Sequence, residues 1–122
     1  MISIKSPNVL ESLLLVRYHP KLVEIVAWIA RRYMITITDG YRVGDSGVHG
    51  TNPCRGMDIR SYAIFNHSGA IMDPVEFVTE VNRCWQYDEN RPEKVVALYH
   101  DAGSGYHIHL QVCDATRQRA PG

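Results

Sequence analysis

Apolar residues recur along this chain at two periods, and the switches between them mark out its elements. Val9, Leu10, Leu13 and Leu14 recur at three and four, and with Asn8 as cap they predict a helix to about Tyr18. Leu22, Ile25, Val26, Ile29 and Tyr33 repeat the pattern behind Pro20, which predicts a second helix over roughly residues 20–33, packed on the first as a hairpin. From Met34 the period drops to two. Ile35 and Ile37 point inward from a strand that Asp39-Gly40 ends. Met57 and Ile59 alternate with Asp58 and Arg60 in a second strand over residues 56–62. Asp73-Pro74-Val75-Glu76 then opens a helix to about Tyr87 that turns Phe77, Val78, Val81 and Trp85 inward.

Two strands follow, over residues 94–99 and 105–112. The short link Asp101–Gly105 between them predicts an antiparallel hairpin. In the second, Ile108, Leu110 and Val112 take the core face, while His107, His109 and Gln111 take the other. Helices first, then strands with one helix inserted, predict an α+β domain with an antiparallel sheet. Residues 1–122 read as one domain with its core over about 8–113, and residues 114–122 read as a frayed polar tail.

Charge removes whole classes of partner. Thirteen basic residues balance thirteen acidic ones, so neither nucleic acid nor an anionic membrane is expected. The longest apolar run, Leu13–Val16, falls far short of a membrane span or a signal-peptide core. The expectation is a monomer made in the cytoplasm without an export signal of its own. The three cysteines, Cys54, Cys84 and Cys113, form no CxxC pair, so a cysteine zinc site is not expected.

The polar positions left over carry the chemistry. His107 and His109 point the same way from one rigid element, an arrangement that suits a metal. The segment from Gly40 to Pro53 is a glycine-rich loop that carries Arg42 and His49. Asp58 opens the strand that follows, and Asp101 precedes the histidine strand. Catalytic zinc takes three protein ligands and keeps one open position. His49, Asp58 and one of the two strand histidines supply such a set. Asp101 or the other histidine would serve as base, and Arg42 as a cation for an oxyanion or a substrate carboxylate. Each residue also has a plainer use, as a solvated turn histidine, an ion-paired aspartate or a surface arginine. Spacing alone leaves His107 and His109 interchangeable.

The order of these segments resembles the zinc D-Ala-D-Ala peptidases, whose fold is shared with the hedgehog signalling domain and lysostaphin-type enzymes. The segments are Ile37-Thr38-Asp39-Gly40-Tyr41-Arg42, Ser46-Gly47-Val48-His49, Cys54-Arg55-Gly56-Met57-Asp58 and His107-Ile108-His109. The resemblance covers about residues 34–112. It implies one zinc per chain on His49, Asp58 and His109, with Arg42 against the substrate. It also implies hydrolysis of an amide bond in peptidoglycan stem peptides, in the manner of a carboxypeptidase or a phage endolysin. The stretch from His49 to Asp58 carries two residues more than the family pattern, around Thr51 to Pro53. No acid stands three residues before His109, where Tyr106 is found; Asp101 is the expected general base and His107 its rival. The alternative implied by an uncertain base is a hedgehog-like, zinc-containing binding module without turnover.

Overall fold

The structure is a computed structural model that describes residues 1–101, 103 and 105–120. It has three helices and a mostly antiparallel mixed sheet, the α+β class expected. Strand β1 (Ile2–Ile4) leads into helix α1 (Pro7–Leu15) and helix α2 (Pro20–Ala30). Then come β2 (Tyr33–Asp39), a 3-10 turn (Val48–Gly50), β3 (Gly56–Ile59), β4 (Phe65–Asn66), α3 (Pro74–Cys84), β5 (Trp85–Gln86), β6 (Ala97–Asp101), β7 (Tyr106–Gln111) and β8 (Arg117–Gln118). The main sheet runs β1-β2-β3-β7-β6, with β4 added to β2, and only the β1–β2 pair is parallel.

The helix caps follow local chemistry, with one shift. Ser6, not Asn8, caps α1 and accepts from Val9 N–H, and Pro7 fills the first helical position. The helix stops at Leu15 rather than Tyr18 because residues 17–19 are drawn against Cys54: Cys54 N–H donates to Arg17 O and His19 N–H to Cys54 O, each at 2.9 Å. Asp73 caps α3 as expected. That helix ends at Cys84, because Trp85 and Gln86 pair with Gln118 and Arg117. The expected helical hairpin is replaced by packing of both α1 and α2 on β2.

One face of the sheet carries the core. Ile35, Ile37, Met57, Ile59, Ile108 and Leu110 line it, and Leu22, Ile25, Ile29, Phe77 and Val81 from the helices close over it. Side chains alternate across a strand, so Asp58, His107 and His109 take the opposite face. The β3 strand stops at Ile59, before the expected Tyr62. Ala63, at a φ of 55°, leaves the extended region soon after.

The expected tail is not frayed over residues 114–120, while residues 121–122 lie outside the described residues. Thr116 is 1% exposed, its hydroxyl donates to Tyr87 O at 2.9 Å, and β8 pairs with β5. The physical reason is that Cys113 and Thr116 close a turn over Tyr87, which carries the polar segment into a second small sheet. No helix among the described residues is long and apolar enough to cross a membrane.

Candidate metal centre

Two of the candidate ligands are set by sheet register. Asp58 on β3 and His109 on β7 are direct partners in an antiparallel pair. Facing residues in such a pair hold their side chains close and on the same face. Behind them Ile59 and Ile108, also paired, are fully buried, so neither strand can slip without exposing its core face.

His49 comes from the long loop, and polar contacts hold it. Arg42 N–H donates to His49 O at 2.7 Å, and Arg55 N–H to Val48 O at 3.1 Å. The Tyr18 hydroxyl donates to Ser12 O and accepts from Tyr41 N–H, which ties the loop's start to α1. Gly50 is required by space: a Cβ there would lie 1.8 Å from Asp45 O. Across the nine positions that separate them, His49 reaches Asp58.

Three donor atoms meet on the polar face. His49 Nε2 lies 3.1 Å from Asp58 Oδ1, His109 Nδ1 lies 2.9 Å from the same oxygen, and the two nitrogens are 3.3 Å apart. Tetrahedral coordination at about 2.0–2.1 Å sets ligand atoms about 3.3 Å from one another. The triangle therefore has the size of one face of such a tetrahedron. The three residues form a group that can hold a metal ion.

The protonation pattern fits a cation as well. His49 Nδ1 lies 2.7 Å from Gly40 O, so Nδ1–H donates to that carbonyl and Nε2 turns its lone pair toward the carboxylate. Such a backbone acceptor fixes the tautomer of a metal-ligating imidazole. A lone pair facing a carboxylate oxygen needs a positive charge between them, either a proton or a metal. Burial disfavours the His49 cation, but the Asp58 carboxylate and the Gly40 carbonyl outweigh it and raise the pKa above its ordinary value. Burial alone would raise Asp58; the two histidines overcome it and hold the carboxyl well below the usual range.

Around this triangle the predicted partners divide. Arg42 is present but committed: its guanidinium reaches Asp39 at 2.8 Å, Asp45 at 3.2 Å and Asp58 Oδ2 at 3.5 Å. A bulge between Ile37 and Asp39 makes the first contact, by pairing Asp39 with Asp58 and turning it off the core face. His107 stands beside the triangle, with Nε2 3.9 Å from Asp58 Oδ2. An open cleft of about 480 Å³ runs from Arg42, Asp58 and His107 to Lys5, Arg60 and Tyr62.

Asp101 is a correction. The expected turn back toward the metal does not occur, because its carboxylate accepts from Gly103 N–H at 2.8 Å and Gly105 N–H at 3.1 Å and closes its own hairpin. Its register partner is Tyr106, which puts it on the face away from the ligands. His100 takes that place instead. It pairs with His107, their ring centroids are 4.8 Å apart, and His109 lies 6.0 Å away. Burial and the two neighbouring imidazoles lower the His100 pKa. The sequence holds a signal for this: a hairpin closed between Asp101 and Tyr106 puts His100 opposite His107, but only once the turn is known. The Gly40 carbonyl leaves no mark in the sequence as a histidine partner.

No protein-family model, curated protein or solved structure matches this chain.

Proposed function

We propose that this chain is a zinc-dependent peptidase that cleaves an amide bond in peptidoglycan stem peptides. One observation carries the proposal: three metal-competent donors form a tetrahedral face, one of them, Asp58, lines an open cleft, and two further histidines stand beside them. The order of the segments around Arg42, His49, Asp58 and His109 supports the choice of zinc and of a cell-wall peptide.

His49, Asp58 and His109 would hold the ion, which when bound supplies Lewis acidity toward a carbonyl and acidifies water at neutral pH. The chain's own groups supply the rest. His107, next to Asp58 and facing the cleft, accepts a proton at a ring nitrogen from attacking water and returns it to the leaving amine. His100, with its lowered pKa, stays neutral beside it and keeps His107 facing the cleft. Arg42 holds the second oxygen of Asp58, which leaves Oδ1 to the ligand triangle. The core-backed strands keep Asp58 and His109 in one geometry through the reaction, and the loop's own hydrogen bonds hold His49 beside them.

A metal-containing binding module without turnover remains the rival reading. It is favoured by one observation: the carboxylates near the triangle among the described residues, Asp39 and Asp45, are both bound to Arg42. Two measurements test the proposal. Wild-type protein should carry one zinc per chain by elemental analysis, and Asp58→Asn should lose it. Whole peptidoglycan digested with the zinc-loaded protein should release new peptide termini by mass spectrometry, at a rate that His107→Ala lowers about 10²- to 10⁴-fold. Zinc without new termini favours the binding module; a zinc-free protein with full activity ends the metal reading.

A further inference from the structure

The resemblance assigns substrate contact to Arg42, yet Arg42 is the best-neutralised cation in the cleft, with three carboxylates around its guanidinium. Two other cations line the same cleft, Lys5 and Arg60, and neither is ion-paired among the described residues. We infer that Arg60 and Lys5 read a carboxylate on the substrate, remote from the bond that is cut, so that the cleft selects acidic peptides. This inference rests on the peptidase proposal for the word substrate, but its ligand chemistry comes from the cleft alone.

Both side chains are delivered by well-held backbone. Arg60 follows Asp58 by two residues and shares its face; its N–H donates to Thr36 O at 2.9 Å. Its guanidinium lies 5.0 Å above the Tyr62 ring, which limits the freedom it would lose on binding an anion. Lys5 stands one residue beyond β1 and donates its N–H to Ile37 O at 3.0 Å, which sets it beside Thr38 on the cleft wall. Tyr62 is largely exposed at the rim, aromatic surface of the kind that packs on a bound peptide. Ser61 ties the segment that follows β3 to β7 by donating its hydroxyl to Tyr106 O at 3.2 Å.

The charge pattern explains the direction of selection. Asp39 and Asp58 are the acids on the cleft wall, and both are already engaged by Arg42. An incoming carboxylate therefore meets two unpaired cations and no free acid among the described residues, and a planar guanidinium can bind it through two N–H groups.

The test is calorimetric binding to the zinc-supplemented full chain. The probes are two C-terminally amidated tetrapeptides, alike except that one carries a free acidic side chain and the other its amide. Wild-type protein should prefer the acidic peptide about tenfold, the scale of one partly exposed charge-assisted contact. Arg60→Gln should bring the ratio close to one, Lys5→Gln should lower it part of the way, and Arg60→Glu should reverse it. Equal binding by wild type, or a preference that survives Arg60→Gln combined with Lys5→Gln, overturns the inference. Cleavage is scored separately on whole peptidoglycan: a preference without new peptide termini ends the peptidase proposal and leaves this one standing, while new termini without a preference do the reverse.

Discussion

The candidate metal centre is assembled from two unlike halves. Asp58 and His109 face each other on paired strands whose reverse sides, Ile59 and Ile108, are completely buried. His49 stands on a short 3-10 turn inside a loop that is held by individual hydrogen bonds and by one glycine with no room for a side chain. Position in the first half is tied to the hydrophobic core, so it fails only when the fold fails. In the second half it is tied to local polar contacts, each worth about 0.5–1.5 kcal/mol net. It can be lost while the rest of the protein stays folded. The comparison teaches that metal affinity and global stability should separate by region.

The largest expected effect tests the strand half. Ile108→Ala removes a fully buried side chain behind the ligand pair and should destabilise the protein by about 2–5 kcal/mol in chemical denaturation. The folded fraction should keep its metal affinity within a few-fold, measured by competition with a chromophoric chelator. A collapse of affinity in still-folded protein would show that the strand pair is no stiffer than the loop.

Gly50→Ala tests the loop half. The added Cβ would collide with the Asp45 carbonyl, so the turn that carries His49 must move. Metal affinity should fall about 10- to 100-fold, the usual loss when the support of a ligand is disturbed, while the denaturation midpoint without metal changes little. Unchanged affinity would mean that the loop re-forms around the obstruction and His49 is held by Asp58 alone.

The smallest effect is a slope against pH. His49 has a raised folded-state pKa, so in metal-free protein its contribution to stability is complete below its unfolded value, about 6.5. That contribution is lost as pH rises through the folded value. Asp58 works the other way. Its depressed pKa contributes stability above the unfolded value of about 3.9, lost only as strong acid is approached. Metal needs His49 without its proton, so stabilisation by zinc should grow over the range in which metal-free stability declines. Melting temperatures from pH 6 to pH 8, with zinc and with chelator, should therefore diverge. Parallel curves would remove the proton from between His49 and Asp58.

Much of this architecture is legible in the sequence. The 3.6 and 2.0 periodicities placed the three helices and the strands that became β2, β3, β6 and β7, because burial of one face is a local demand repeated along the chain. Ile108, Leu110 and Val112 were assigned to the core and are fully buried. The elements that escaped notice are short strands, β1, β4, β5 and β8, of three residues or fewer. They have too few positions to show a period, and they exist because a partner strand accepts them. The supposed tail shows the same thing: nothing in residues 115–120 is apolar enough to forecast a buried Thr116.

The site divides along the same line. Residue types named His49, Asp58 and one of the two strand histidines as a ligand set, since the donors for a metal must be drawn from few side chains, and the resemblance chose His109 and set Arg42 against the substrate. Which face each residue occupied depended on register, and register depended on where the hairpin turned. Asp101 was lost from the site and His100 brought in by that one geometric fact. The commitment of Arg42 to Asp39, Asp45 and Asp58, and the arrival of Lys5 from the far end of the chain, required a β-bulge and a parallel strand pairing. Residue identity determined which groups could do chemistry here; tertiary structure decided which of them meet, because contact between distant segments is set by the shared core and leaves no local trace in the sequence.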